Sequence, residues 1–185
     1  YMQFREYGLA FAKFWDEATL KLKKPTLAVL KGNVYAGGMG IVSACDMSIA
    51  ADDIRFRCAE INIGLWPFLV SVVLSRQVGI KKALELMMTG EAISASEAKN
   101  IGLINRVVPR DSLDEEARKL VDTLASKSPL ALRMGKETLY RAAEMPYPAA
   151  LEYAAQMLVL LTFSEDGQEG VNAFLQKRQP SYKGY

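Results

Sequence analysis

Apolar positions recur with two different spacings along the chain. Between residues 26 and 58, and again at 104–108, short apolar runs rich in β-branched residues are interrupted by glycine or polar residues, which is typical of strands. Elsewhere apolar residues recur every three or four positions, which indicates helices with one buried face. The pattern predicts strands at residues 26–30, 47–51, 54–58 and 104–108, and helices at residues 4–21, 38–44, 67–77, 80–88, 95–101, 113–126, 129–145, 148–163 and 166–176. The sequence therefore predicts an α/β core followed by a mostly helical C-terminal region.

Three serines mark predicted helix starts. Ser94 and Glu97, like Ser112 and Glu115, have the spacing of a capping box, in which the serine hydroxyl and the glutamate each satisfy a backbone N–H. Ser128 precedes a proline, a residue that suits the first helical turn. We expect a helix to begin directly after each of these serines.

Composition narrows the range of possible functions. The chain has 185 residues, half of them hydrophobic, and a formal charge of +2, which creates no large field to attract nucleic acid or a membrane surface. No apolar run reaches the length of a membrane span, and no signal peptide is visible. Cys45 and Cys58 lie in apolar surroundings, which favours reduced, buried thiols over a disulfide.

The chain contains no histidine. This excludes a Ser-His-Asp or Cys-His nucleophilic system and the usual histidine-based zinc sites, so we expect no metal site. A general acid or base in this protein must be a carboxylate, tyrosine, lysine or cysteine.

A glycine-rich turn follows the first predicted strand. Residues 31–40 read KGNVYAGGMG and lead into the helix predicted at 38–44. Uncovered N–H groups and the positive end of the helix dipole favour an anion there, which could be a phosphate, a carboxylate or a transient oxyanion. The motifs of nucleotide-binding loops are absent. The glycines equally suit close packing of the helix on the strand.

Glu60 is the second candidate functional residue. It lies in an apolar stretch that ends at Trp66 and Pro67. Burial disfavours the charged form of a carboxylate, which would let Glu60 take and return protons near neutral pH. The alternative is an exposed position on an alternating strand.

Several motifs, in the same order, resemble the crotonase family of enoyl-CoA hydratases and isomerases. The resemblance covers nearly all of the chain from Lys24 onward. The matching segments are KPT at 24–26, GG at 37–38, CD at 45–46, Phe56-x-x-x-Glu60-x-x-x-Gly64, and residues 89–98, 102–109 and 169–178.

The resemblance implies a fold of repeated β-β-α turns in a right-handed superhelix. Residues 1–125 would be the C-terminal part of this core, without its N-terminal part, and residues 126–185 a helical oligomerisation region. That region builds a homo-trimer, often a dimer of trimers, in the family. The expected location is cytoplasmic, or mitochondrial or peroxisomal in a eukaryote.

The resemblance also implies the chemistry. Two backbone N–H groups stabilise a thioester enolate, and Gly37 matches the position of one of them, while the other precedes Tyr1 in family members. Glu60 matches the acid/base. The residues assigned to the acyl-CoA substrate are Gly38, Gly40, Trp66, Pro67, Phe68, Phe174 and Lys177, the last two near coenzyme A of the same or a neighbouring subunit. Lys177 could equally be a solvated charge. No cofactor is expected beyond the coenzyme A of the substrate.

Two departures from the family pattern bear on the reaction. Hydratases usually carry two glutamates that hold and activate a water. Glu60 matches the second glutamate, but Gly40 stands at the position of the first. Phe68 occupies a position near the catalytic water that is often glycine in hydratases. One carboxylate suffices to move a proton between two carbons, so isomerisation is favoured over hydration. The alternative is a catalytically silent scaffold or an RNA-binding relative.

Overall fold

The computed structural model describes residues 2–17 and 21–185. The predicted helix over 4–21 crosses residues 18–20, which lie outside the described residues. The strands are β1 Leu27–Leu30, β2 Val34–Tyr35, β3 Met47–Ala51, β4 Arg55–Arg57, β5 Ile93–Ser94 and β6 Arg106–Val108. The α-helices are α1 Met2–Asp16, α2 Gly37–Ala44, α3 Phe68–Val78, α4 Ile80–Thr89, α5 Ala95–Asn100, α6 Leu113–Ala125, α7 Pro129–Ala142, α8 Tyr147–Thr162 and α9 Glu165–Leu175. Short 3-10 turns occupy Glu60–Ile63 and Arg110–Ser112.

Two three-stranded sheets organise the α/β part. The first has the order β1-β3-β6 and is entirely parallel, with Leu27 opposite Met47 and Ala51 opposite Val108. The second has the order β2-β4-β5, in which β2 and β4 are parallel and β5 is antiparallel. Strand β3 pairs with both outer strands of the first sheet. It is almost entirely buried, as expected for a parallel strand that is covered on both faces.

Strands β2 and β5 were not among the predicted elements. Each has only two residues, too few to show an alternating pattern. Of the predicted caps, Ser94 and Glu97 form the expected capping box, and the Ser128 hydroxyl accepts the Ala131 N–H at 3.0 Å. Helix α6 begins directly after Ser112, but the predicted capping box at Ser112 is wrong, because Ser112 belongs to a 3-10 turn that continues directly into α6.

The described chain forms two compact units. The first comprises residues up to Lys21 and Thr26–Lys119, and the second comprises Leu22–Pro25 and Leu120–Tyr185. The division predicted after residue 125 lies at the end of α6. The core of the first unit is built from apolar side chains of both sheets and of the helices around them, including Met39, Ile49, Phe56, Leu74 and Leu86.

A buried carboxylate anchors the last residues of the second unit. Asp166 accepts hydrogen bonds from the Ser128 hydroxyl at 2.6 Å and from the Lys183 and Gly184 N–H groups at 2.7 and 3.0 Å. Burial raises the pKa of Asp166, but these hydrogen bonds outweigh it and hold the pKa below its usual value. The carboxylate is therefore stable in its charged form inside the unit.

None of the helices within the described ranges combines the length and apolar character that crossing a bilayer requires.

Candidate active site

The oxyanion-donor candidate lies where strand β2 turns into helix α2. Ala36 links them with φ +50° and ψ −124°, a conformation that L-residues rarely adopt. Its N–H donates to the Arg57 carbonyl at 2.9 Å, and its own carbonyl accepts the Met39 N–H at 2.9 Å. Gly37 is the first residue of the helix, where backbone N–H groups have no intrahelical acceptor. The turn therefore presents a backbone donor beside a cavity that Gly37 lines.

Glu60 begins the 3-10 turn Glu60–Ile63, which we call the Glu60 turn. The turn follows β4 after two residues and is closed by Gly64, whose φ of +76° suits glycine. Glu60 is half-buried, and its Oε2 atom is buried without a hydrogen-bond partner among the described residues. The alternative of an exposed strand position is therefore wrong, because Glu60 points inward from a turn.

Gly37 and Glu60 line the same cavity. Its volume is about 260 Å³, and the full lining is Phe11, Trp15, Gly37, Glu60, Trp66, Pro67, Phe68, Leu69 and Val70. Five of the residues predicted from sequence are thus brought together. Among these described lining residues Glu60 is the one ionisable side chain, which makes it the candidate for proton transfer in the cavity.

Gly40 faces an aromatic ring from helix α1. A Cβ atom at Gly40 would overlap Cζ2 and Cη2 of Trp15, whose side chain is 5% exposed. Gly38 has more room, since a Cβ there would lie 3.5 Å from Cγ1 of Val34. The predicted position of a first carboxylate is therefore filled by an indole. Phe11 and Trp15 lie within the helix predicted at residues 4–21, and their i, i+4 spacing is the sequence signal that places them on one face of it.

A sequence profile described as enoyl-CoA hydratase/isomerase matches residues 2–185. This chain belongs to the enoyl-CoA hydratase/isomerase family. Rat enoyl-CoA hydratase domain-containing protein 3, mitochondrial (Rattus norvegicus), is 40% identical over 181 residues, covering 96% of this chain and 60% of that protein. The 2,3-dehydroadipyl-CoA hydratase of Escherichia coli K12 is 36% identical over 162 residues, covering 87% of this chain and 64% of that protein. The chain spans less than two thirds of the length of either relative.

Solved structures of the hydratase/isomerase family confirm the predicted crotonase-like α/β fold. The crystal structure of human enoyl Coenzyme A hydratase domain-containing protein 3 matches with a TM-score of 0.93 at 35% identity, covering 96% of this chain and 70% of that one. Enoyl-CoA hydratase from Bacillus anthracis matches with a TM-score of 0.94 at 31% identity, covering 100% of this chain and 71% of that one.

The two residues predicted to lie near coenzyme A belong to the second unit. Phe174, near the end of α9, is 82% exposed. Lys177 is exposed, has φ +53°, and donates its N–H to the Phe174 carbonyl at 3.2 Å. Neither residue is in the described lining of the Glu60 cavity, so their assignment to coenzyme A stays a prediction.

Cys58 lies between β4 and the Glu60 turn and is buried. Burial and, to a smaller extent, the negative charge of Glu60 raise the pKa of its thiol to about 12. A thiol that stays protonated is a poor nucleophile, which leaves Glu60 as the candidate for proton transfer. Cys58 and the half-buried Cys45 form no disulfide with each other.

Proposed function

We propose that the protein is an enoyl-CoA hydratase/isomerase that acts on acyl-CoA thioesters through an oxyanion-stabilised enolate. In this proposal it isomerises Δ3-enoyl-CoA to Δ2-enoyl-CoA faster than it hydrates the product. The observation that carries the proposal is that Gly37 and Glu60 line one apolar cavity while Trp15 fills the space in front of Gly40. Coenzyme A arrives with the substrate, and no other cofactor takes part.

In the proposed reaction Glu60 does all of the proton transfer. Its carboxylate removes a proton from C2 of a 3-enoyl-CoA; the electron pair of that C–H bond forms a C1–C2 double bond, and the π pair of the carbonyl moves onto the thioester carbonyl oxygen. The Gly37 N–H donates a hydrogen bond to this oxygen, a type of contact whose loss typically costs about 10²–10³ in rate. Protonated Glu60 then delivers the proton to C4, which leaves the double bond between C2 and C3 and restores the carboxylate.

Hydration divides its work between more groups than the described lining of the cavity contains. A water must be oriented and deprotonated as it attacks C3, while another proton reaches C2. Two carboxylates divide this work, whereas Glu60 alone would have to do both parts. The Trp15 ring occupies the place of a second carboxylate, and Phe68 adds bulk at the mouth, where it is 75% exposed. These contacts support isomerisation as the faster reaction.

A direct comparison of the two reactions tests the proposal. The intact protein is assayed with 3-hexenoyl-CoA for isomerisation and with 2-hexenoyl-CoA for hydration. We expect isomerisation to be at least tenfold faster, about 1.4 kcal/mol in barrier. Hydration that is tenfold faster would overturn the preference. Turnover of neither substrate by the folded protein would favour the silent scaffold, and salt-sensitive RNA retention would favour the RNA-binding alternative.

The proposed enzyme is a homo-trimer or a dimer of trimers. Helix α8 supports this assembly, because none of its residues is buried in the single chain and its apolar side chains are exposed, including Leu151, Leu158, Val159 and Leu160. Burying such a surface against another subunit is favourable. Sedimentation at micromolar concentration should give a trimer or hexamer, and a monomer would contradict the assembly.

Phe174 and Lys177 are proposed to contact the coenzyme A moiety, in the same or a neighbouring subunit. Both are exposed at the end of α9, where a flat ring and a cation could meet an adenine and a phosphate. A Lys177→Met variant should raise KM for an enoyl-CoA without lowering kcat, while Lys127→Met, which removes another exposed lysine of this unit, should change neither.

The proposed location is the cytoplasm, or a mitochondrion or peroxisome in a eukaryotic cell. The name of the rat relative includes "mitochondrial". Imaging the tagged protein in its own cells tests this location.

A further inference from the structure

The backbone of Arg57 is attached to the turn that presents Gly37. Arg57 is the last residue of β4, opposite Tyr35 of β2. Its carbonyl accepts the Ala36 N–H at 2.9 Å. Ala36 carries the strained dihedral angles that direct the chain into α2. The position of the Gly37 N–H therefore depends on where the Arg57 carbonyl lies.

The side chain of Arg57 is attached to the other half of the site. Its Nε donates to the Gly90 carbonyl at 2.5 Å, and Nδ2 of Asn62 approaches the same oxygen at 3.5 Å. Asn62 belongs to the Glu60 turn. Gly90 ends α4 in a left-handed conformation, and a Cβ there would press on Asn62 and Ile61. The Glu60 turn thus rests directly on the carbonyl that Arg57 holds.

The surroundings of Arg57 favour a strong hydrogen bond between its side chain and the Gly90 carbonyl. Arg57 is half-buried between the fully buried Phe56 and Cys58, and it forms no ion pair with any of the described residues. Its charge is directed at a neutral carbonyl at the negative end of a helix dipole, which strengthens the hydrogen bond.

We propose that Arg57 is a positioning residue that sets the oxyanion donor Gly37 and the acid/base Glu60 relative to each other. The Arg57 carbonyl holds the turn that leads into Gly37. The Arg57 side chain holds the Gly90 carbonyl, on which Asn62 of the Glu60 turn rests. This inference rests on the proposed function for its catalytic meaning. The connection between the two turns is tested separately from catalysis.

Three variants of the intact protein test the connection. Arg57→Met removes the donor at similar length, Arg57→Lys keeps a cation, and Arg55→Met is the matched control at an exposed position of the same strand. We expect amide hydrogen exchange in Arg57→Met to be at least tenfold faster at residues 36–39 and 60–64. Arg57→Lys should restore most of the protection, and Arg55→Met should leave both segments unchanged. Unchanged exchange in Arg57→Met, or equal acceleration throughout β3 and α4, would overturn the proposal.

Kinetics supply the second measurement. With an enoyl-CoA that the wild type converts, Arg57→Met should lower kcat at least tenfold and change KM less than threefold, because the walls of the cavity are intact. Unchanged kcat would overturn the positioning role. If the wild type converts no enoyl-CoA, the proposed function fails, and hydrogen exchange still decides whether Arg57 couples the two turns.

Discussion

The indole ring of Trp15 occupies the space that a side chain at Gly40 would need. Gly40 is buried on α2, one turn from Gly37, and Trp15 reaches it from α1. Any residue larger than glycine at position 40 must displace this ring. In the proposed function, this packing contact favours isomerisation over hydration.

A carboxylate at position 40 should require a smaller residue at position 15. Gly40→Glu alone should lower the free energy of unfolding by at least about 1–3 kcal/mol, because it overpacks the core. Combining it with Trp15→Leu should recover much of this loss and raise hydration relative to isomerisation. Urea unfolding and the two assays measure these effects, with Ile41→Glu as the more exposed control on the same helix. A single Gly40→Glu variant as stable as the wild type would contradict the contact.

Replacing the proposed acid/base should remove turnover without disturbing the fold. Glu60→Gln keeps the size of the side chain but cannot accept a substrate proton, so kcat should fall at least about 10²-fold. The melting temperature and circular dichroism should match the wild type. Glu91→Gln, which changes an exposed glutamate, should retain full activity. Near-normal kcat in Glu60→Gln would remove Glu60 from the mechanism.

Relieving the backbone strain at Ala36 should stabilise the protein. Its positive φ costs a non-glycine residue about 1–3 kcal/mol, while glycine loses about 0.5–1 kcal/mol in chain entropy. Ala36→Gly should therefore raise the free energy of unfolding by about 1 kcal/mol. Ala28→Gly, in strand β1, should lower it by roughly 0.5–1 kcal/mol. A destabilised Ala36→Gly variant would show that the Ala36 methyl group matters more than the strain.

The buried carboxylate Asp166 should make stability depend on pH in the acid range. Its folded-state pKa lies below the unfolded value, so its contribution is present above the unfolded pKa and is lost as pH falls through the folded pKa. The free energy of unfolding should therefore decrease below about pH 4, the usual pKa of aspartate. Asp166→Asn should be less stable at pH 7 and should depend less on pH below 4. Asp122→Asn, at an exposed position, should follow the wild type.

Sequence patterns were sufficient where the local signal was strong. Strand β3, the Ser94 capping box and the helix after Ser128 lie where the apolar spacing and cap residues indicated. The two-residue strands β2 and β5 could not be predicted, since they exist only through pairing with β4.

The site was predictable in its residues but not in its contacts. Motif resemblance identified Gly37 and Glu60, which line one cavity. The approach of Trp15 to Gly40 joins residues 25 positions apart, and the contact of Arg57 with Gly90 joins residues 33 apart, as the numbering shows. Such long-range contacts follow from how the helices and strands pack, which spacing along one segment does not encode.

The described lining of the Glu60 cavity contains a single ionisable side chain, which has a stereochemical consequence for the proposed reaction. If one carboxylate serves both carbons, the proton must leave C2 and arrive at C4 on the same face of the substrate. The inner oxygen of Glu60 has no hydrogen-bond partner among the described residues through which that proton could pass to solvent. A substrate that carries deuterium at C2 should then yield a product that retains part of the label at C4, on one face only.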